Sequence, residues 1–134
     1  MRLPFLSLLL ALPLAGQTPA KNDAQPTVAR KGTEPAAMTT LRAKAVAGEA
    51  EAQFALGYAC HFGQGVPQDF AEAVTWYRKA ADQGHALAQS HLAYCYDEGQ
   101  GVVQNVAEAL KWTRKAADQG EPSAQYNLGL KVRP

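Results

Sequence analysis

The strongest constraint on the fold of this chain is a segment that recurs, almost unchanged, 36 residues later. The stretch GQGVPQDFAEAVTWYRKAADQG begins at Gly63, and GQGVVQNVAEALKWTRKAADQG begins at Gly99. Across residues 52–84 and 88–120, 20 of the 33 aligned positions are identical. Self-similarity with a period in the thirties indicates helical hairpins that stack into a solenoid.

The repeat extends in both directions. The stretch TLRAKAVAG, which ends at Gly48, matches the end of a repeat's second helix, and AQYNLGL, which begins at Ala124, matches the start of its first helix. The sequence therefore predicts one all-α domain over residues 36–134. Its parts are a half repeat over 36–48, repeat one over 49–84, repeat two over 85–120 and a partial repeat over 121–134.

Each repeat is predicted to hold two helices. Ala52 and Leu56 fall on one face of the first helix, and the glycines from Gly63 onward end it. Asp69 and Asn105 each precede a glutamate by three residues, which is the spacing of a capping box. The second helix of each repeat is therefore expected to begin at these caps.

Small residues at one helical position predict a close helix–helix contact. Gly57 lies in mid-helix, where glycine costs about 0.5–1 kcal/mol relative to alanine. The equivalent residues are Ala93 in repeat two and Gly129 in the partial repeat. We interpret their shared small size as the close approach of a neighbouring helix. Trp76 and Trp112 are expected to be the largest side chains wedged into the core.

The segment AQFALGYACHFGQGVPQDFAEAVTWYRKAADQG resembles a Sel-one-like repeat (SLR), a relative of the tetratricopeptide repeat. The residues that carry the resemblance are Ala52, Leu56, Gly57, the GQGV loop, the alanines that flank Glu72, Trp76, KAA and the closing glycine. The resemblance extends from about Pro35 to the end of the sequence. It implies a right-handed α-solenoid of antiparallel helix pairs that serves as a scaffold for partner proteins.

The resemblance also implies where a partner binds. In tetratricopeptide relatives the first helix of each hairpin lines the concave face. The equivalent positions here are Glu51, Phe54, Tyr58, His61 and Phe62 in repeat one, and Leu87, Ser90, Tyr94, Asp97 and Glu98 in repeat two. Apart from the two tyrosines, these are among the positions at which the copies differ most, as expected if they specify a protein or peptide partner. The alternative is that Phe54 and Phe62 pack against the preceding half repeat.

The N-terminus has the pattern of a secretory signal peptide. Arg2 precedes an apolar run of about a dozen residues, which is shorter than the roughly 20 that a membrane-spanning helix needs. We expect a signal over residues 1–20, cleaved near Gly16 or Ala20, and a disordered linker over 21–35. The protein is therefore expected to be exported, periplasmic or secreted, with no membrane span once the signal is removed.

The net charge of the chain and its few serines, histidines and cysteines limit the classes of function that we expect. The net charge of +1 without basic runs argues against a nucleic-acid partner. Outside the signal the only serines are Ser90 and Ser123, and no Ser-x-x-Lys motif occurs, so we expect neither catalysis nor a cofactor. His91, Cys60 and Cys95 do not recur as a set in the copies, so no metal site is expected.

Some alternatives stay open. A Cys60–Cys95 disulfide depends on whether the side chains of neighbouring helices turn toward each other. Cysteine-rich members of the family are similar to β-lactamases or penicillin-binding proteins, but their paired cysteine positions correspond to Ala81 and Gln89 here. The main expectation is a monomeric, non-enzymatic interaction module. The alternatives are a hydrolase of that cysteine-rich type and a truncated repeat fragment without function.

Overall fold

A computed structural model describes residues 34–132, and the side chains of residues 34–130. The predicted signal and nearly all of the predicted linker lie outside these residues. The described residues form six helices and no strand. The helices are α1 (Ala36–Val46), α2 (Ala50–Phe62), α3 (Phe70–Asp82), α4 (Ala86–Glu98), α5 (Val106–Asp118) and α6 (Pro122–Val132). None of them is long and apolar enough to cross a membrane.

Each helix packs mainly on the next one along the chain, and the most extensive contacts join α2 to α3 and α4 to α5. These two pairs are the helical hairpins of repeats one and two. The predicted fold class, an all-α solenoid of helix pairs with a repeat of about 36 residues, is confirmed.

The second helices begin at the predicted caps. The side-chain oxygens of Asp69 and Asn105 each accept a hydrogen bond, at 3.0 Å, from the backbone N–H three residues later. In repeat one the glutamate of the capping box faces elsewhere, because Glu72 Oε2 accepts from Arg42 Nη1 at 2.8 Å and from Trp76 Nε1 at 3.2 Å. Glu72 thereby connects α3 to α1 of the half repeat.

A chain of hydrogen-bonded amide side chains, of which Gln53 and Gln89 are buried, joins successive repeats, and we call it the glutamine ladder. It consists of Gln53, Gln83, Gln89, Gln119 and Gln125. Gln53 Nε2 donates to the carbonyl oxygen of Ala45 at 3.1 Å, and Gln53 Oε1 accepts from Gln83 Nε2 at 2.9 Å. Gln89 makes the equivalent two bonds one repeat later, at 3.1 and 2.8 Å. The ladder fixes each first helix against the C-terminal end of the preceding second helix.

The glycine loop also contributes to stacking. Gly101 has φ +78°, and a Cβ atom there would lie 2.4 Å from the carbonyl oxygen of Phe70. A larger residue would therefore be strained in its backbone and would collide with the start of α3. The repeated GQG motif brings the loop of one repeat against the second helix of the repeat before it.

Gly57 makes the predicted close contact, and its partner is Tyr77 of α3. A Cβ atom at Gly57 would lie 2.8 Å from Tyr77 Cδ1. Tyr77 is completely buried, whereas the neighbouring Trp76 is only half-buried, so Tyr77 is the core wedge of repeat one. In repeat two the wedge is Trp112, as expected, and Thr113 stands at the position of Tyr77.

This contact gives a matched pair of glycine substitutions. Gly57→Ala should lower the free energy of unfolding by roughly 1–2 kcal/mol, because the overpacking cost of about 1–3 kcal/mol exceeds the gain in helix propensity. Gly129→Ala has open space around the new methyl group and should raise stability by up to about 1 kcal/mol. Urea unfolding followed by circular dichroism measures both.

A third variant tests the cause. The loss from Gly57→Ala should shrink in a Tyr77→Thr background, because the smaller side chain removes the collision. Equal losses in the two backgrounds would show that Tyr77 is not what excludes a side chain at Gly57.

Five rings fill the space between repeats one and two, and we call them the ring cluster. Its members are Phe54, Tyr58 and His61 of α2, Tyr77 of α3 and His91 of α4. The His91 ring centroid lies 5.2 Å from that of Phe54 and 5.3 Å from that of Tyr77.

Burial lowers the pKa of His91 below its ordinary value of 6.5. Its Nδ1–H donates to the carbonyl oxygen of Leu87 at 2.9 Å, which leaves Nε2 as the atom that takes up a proton.

The partly buried His91 predicts a dependence of stability on pH. Because its pKa is lower in the folded protein, the unfolded chain binds the proton more readily, and stability falls as pH drops through the unfolded pKa near 6.5. We expect His91→Asn, the residue found at the equivalent position 127, to reduce the stability loss between about pH 7.5 and pH 5.5. Thermal unfolding at both pH values measures it. Val103→Ala, at an exposed loop position, should keep the wild-type loss, and an unchanged loss in His91→Asn would contradict the assignment.

Candidate binding face on the first helices

Two adjoining pockets lie on one side of α2, α4 and α6, and we call this side the binding face. The first pocket has a volume of about 370 Å³. Four of its lining residues were predicted from the sequence, namely His61, Phe62, Ser90 and Tyr94. The others are Gln68, Phe70, His91, Gln100, Ser123 and Asn127. No lysine, arginine, aspartate or glutamate is among these residues, so apart from the two histidines the first pocket is formed by aromatic rings, amides and hydroxyls.

The second pocket, of about 270 Å³, shares Ser90, Tyr94 and Asn127 with the first. Asp97 and Glu98, both predicted, bring two carboxylates to it. Its remaining lining residues are Ala93, Thr113 and Leu130. The two pockets together form a continuous surface that changes from uncharged to acidic along its length.

Six of the ten predicted residues therefore line the pockets, and four do not. Phe54 and Tyr58 belong to the ring cluster, although Tyr58 remains 37% exposed. Glu51 Oε1 lies 3.1 Å from His85 Nε2, at the start of α4. Leu87 is exposed at 42% without lining either pocket.

His61 lines the first pocket but is itself only 3% exposed. Its Nε2 lies 2.9 Å from Gln100 Oε1, which can only accept, so Nε2 carries the hydrogen. Its Nδ1 then accepts from the Tyr77 hydroxyl at 3.0 Å. Burial raises the pKa of that hydroxyl well above its ordinary value, which keeps it protonated and donating. Both ring nitrogens of His61 are therefore engaged in hydrogen bonds within the protein.

The two serines of the binding face link α4 to the start of α6. Ser90 Oγ lies 3.3 Å from Ser123 Oγ, and Ser123 Oγ donates to Glu121 Oε1 at 2.6 Å. The same carboxylate oxygen caps α6 by accepting from the backbone N–H of Ala124 at 2.9 Å. Burial opposes ionisation of Glu121, but the hydrogen bonds from Ser123 and from the backbone N–H groups outweigh it and lower the pKa.

Cys60 and Cys95 are buried and unpaired in the structure. Burial raises the pKa of Cys60 to about 12 and that of Cys95 to about 11, so both are protonated thiols at neutral pH. A protonated, buried thiol is a poor nucleophile and a poor metal ligand. Within residues 34–132, no three His, Cys, Asp or Glu side chains are grouped so that they could hold a metal ion.

Three residues that sequence reasoning missed, Gln68, Gln100 and Asn127, supply the amides of the first pocket. Gln68 and Gln100 lie in or beside the glycine loops, and each has a glutamine at the equivalent position of the other copy, Gln104 and Gln64, so variation between the copies did not mark them. A signal for Asn127 was present, because its equivalents Ala55 and His91 differ from it and from each other. Most of the predicted positions of the binding face were likewise chosen because the copies differ there.

Solved structures of other proteins have a similar fold. A crystal structure of c5321, a protective antigen present in uropathogenic Escherichia coli strains and displaying an SLR fold, is 43% identical with a TM-score of 0.66. It aligns with 69% of this chain and with 20% of its own. A Sel1 repeat protein from Oxalobacter formigenes is 42% identical over 70% of this chain and 39% of its own, with a TM-score of 0.67. This chain therefore spans only about a fifth and two fifths of these two relatives.

A third structure, cysteine-rich protein B of Helicobacter pylori, is 26% identical over 68% of both chains, with a TM-score of 0.64. A comparison with curated proteins found no match. The family model of the Sel1 repeat matches residues 50–85, 86–121 and 122–132. Sel1 repeat proteins are typically scaffolds for protein–protein interaction. The matches cover more than half of the sequence, and the chain belongs to the Sel1 repeat family.

Proposed function

We propose that this chain is an exported protein-interaction module that binds a protein or peptide partner on its binding face and acts without catalysis. The observation that carries the proposal is the pair of adjoining pockets across α2, α4 and α6. A continuous surface over three first helices is long enough for several residues of a partner.

The exposed rings of the face support binding of a protein. Phe62 is 49% exposed and Tyr94 is 50% exposed, and both line the first pocket. Large aromatic side chains left in solvent contribute disproportionately to interfaces, because each buries a large apolar area at a small entropic cost.

The amides of the first pocket favour an extended partner segment. Gln100 engages His61 through Oε1, and Gln68 engages the His61 carbonyl oxygen through Nε2. This leaves the Nε2 hydrogens of Gln100 and the Oε1 of Gln68 to face a ligand. A donor and an acceptor in the lining of one pocket can pair with the C=O and N–H groups of a peptide main chain.

The binding face can be tested by site-specific photo-crosslinking. We expect p-benzoylphenylalanine at Phe62 or at Tyr94 to form adducts with a partner protein in cells that produce this chain. The same probe at Val103, which is 88% exposed and lines neither pocket, is the matched control and should form none. Purified partner should then bind the Phe62→Ala/Tyr94→Ala variant at least about tenfold more weakly than Val103→Ala. Equal crosslinking at Val103, or equal affinity of the two variants, would exclude this face.

Export depends on the N-terminal sequence and has its own test. We expect the mature protein to begin at Gln17 or Lys21, because small residues at Gly16 and Ala20 follow the apolar run. Edman sequencing of protein from the periplasmic fraction or the medium measures the start. Replacing Leu8 and Leu9 with Asp should interrupt the apolar run and retain the full-length chain inside the cell. An intact N-terminus on the wild-type protein would show that no signal is removed.

A further inference from the structure

The second pocket occupies the place that the ring cluster fills one repeat earlier. Each member of the ring cluster has an equivalent 36 positions later, and all five equivalents line the second pocket. These equivalents are Ser90, Tyr94, Asp97, Thr113 and Asn127. Tyrosine is retained at one of these positions, and the other four side chains are smaller than their counterparts. The pocket is therefore the volume that aromatic side chains occupy in repeat one.

In repeat one the centre of this volume is filled by the ring of Tyr77. The ring lies against Gly57, and its centroid is 5.9 Å from that of Phe54 and 5.3 Å from that of His91. Its hydroxyl donates to Nδ1 of His61 at 3.0 Å. All four contacts have equivalents that line the second pocket, namely Ala93, Ser90, Asn127 and Asp97. The lining of the second pocket thus corresponds, position by position, to the surroundings of a buried phenol ring.

The second pocket has a buried floor and an aromatic side chain at its mouth. Ala93 and Thr113 are buried and form the floor. The hydroxyl of Thr113 donates to the carbonyl oxygen of Ala109 in its own helix at 2.7 Å, so the floor requires no hydrogen bond from a ligand. Tyr94 and Leu130 are about half exposed and lie at the mouth. An aromatic ring that enters from solvent can bury apolar area on this floor and pair with the ring of Tyr94.

We propose that the second pocket takes an aromatic side chain of the partner, which completes in repeat two the ring packing that repeat one makes from its own residues. This inference rests on the proposed function, since the side chain belongs to the segment held on the binding face. The pocket volume of about 270 Å³ is below the roughly 300–1,000 Å³ of pockets that enclose whole small ligands, which suits a single side chain.

The residue at position 93 explains why the ring comes from a partner and not from α5. A Cβ atom at Gly57 would lie 2.8 Å from Tyr77 Cδ1, and the equivalent Ala93 carries such an atom. A tyrosine ring attached to α5 at position 113 would therefore collide with Ala93. The ring of a partner is not attached to α5 and can lie farther from that methyl group.

Selection from a phage-displayed library of random heptapeptides on the full chain provides the ligand for the test. The selected peptides should share an aromatic residue at one fixed position. A synthetic copy with alanine at that position should bind at least about tenfold more weakly, because it leaves the floor of the pocket uncovered. A copy with leucine that binds as tightly as the aromatic peptide would contradict the requirement for a ring.

Nuclear magnetic resonance distinguishes the second pocket from the first. Ala93, Thr113 and Leu130 carry methyl groups and line the second pocket, whereas none of the described residues that line the first pocket carries one. In a complex of the methyl-labelled full chain with the selected peptide, nuclear Overhauser effects should connect the aromatic ring of the peptide to these methyl groups. Effects confined to residues of the first pocket would contradict the proposal.

Two variants of the protein test the pocket from the other side. Ala93→Gly/Thr113→Tyr copies the Gly57–Tyr77 pair and should fill the pocket with the protein's own ring. It should therefore bind the aromatic peptide and its alanine copy equally. Ser90→Phe restores the counterpart of Phe54 at a partly exposed position and should likewise reduce the preference for the aromatic peptide.

The control for both variants is Val103→Ala, which should keep the full preference because position 103 lines neither pocket. Circular dichroism establishes that each variant is folded, and Ser90→Phe decides the test if the double variant does not fold. An undiminished preference in the folded variants would contradict the proposal.

The outcomes separate this inference from the proposed function. Selected peptides that lose affinity for Phe62→Ala/Tyr94→Ala but share a basic or aliphatic position in place of an aromatic one overturn the aromatic-pocket inference and leave the binding face in place. Selected peptides that bind this variant and the wild type equally overturn both. Failure to select any peptide also counts against both.

Discussion

The structure depends on the glutamine ladder. A buried amide must satisfy both its donor and its acceptor, and Gln53 and Gln89 each do so with a backbone carbonyl on one side and another glutamine on the other. A change of register between helices would leave these groups unpaired at a cost of about 1–3 kcal/mol each. Apolar contacts between alanines tolerate small displacements. The ladder gives the stacking of repeats a defined geometry, and the pockets require that geometry.

Side chains of complementary size complete the packing within each hairpin. Gly57 is paired with Tyr77, and the slightly larger Ala93 stands where repeat two has the smaller Thr113. The first pair encloses a set of touching rings, whereas the second leaves an open pocket. One backbone framework therefore holds two different interiors, one closed by its own aromatic residues and one accessible to a ligand.

Much of this fold could be predicted from the sequence, because its signals are local and occur twice. The caps at Asp69 and Asn105 and the close contact at Gly57 each follow from one residue type at one spacing. The sequence could not predict whether Trp76 or Tyr77 fills the core. Adjacent residues differ by about 100° around the helix, and both of these faces of α3 meet other helices. The ladder was visible as identical glutamines, but its backbone acceptors, the carbonyl oxygens of Ala45 and Ala81, belong to the preceding unit and leave no mark in the sequence pattern. The pockets could not be predicted either. A pocket forms where short side chains from different helices meet, and the sequence alone does not show which residues of α2, α4 and α6 meet.

The separation between the glutamine ladder and the binding face has an evolutionary consequence. The residues that join one repeat to the next are the same in each copy, and those that line the pockets are mostly different. Duplication of a 36-residue unit would therefore add a compatible layer to the stack without any adjustment of its neighbours. Later substitutions on the first helix could then give the new layer its own ligand preference while the joint between layers stayed constant. In such a protein, recognition can diversify one unit at a time.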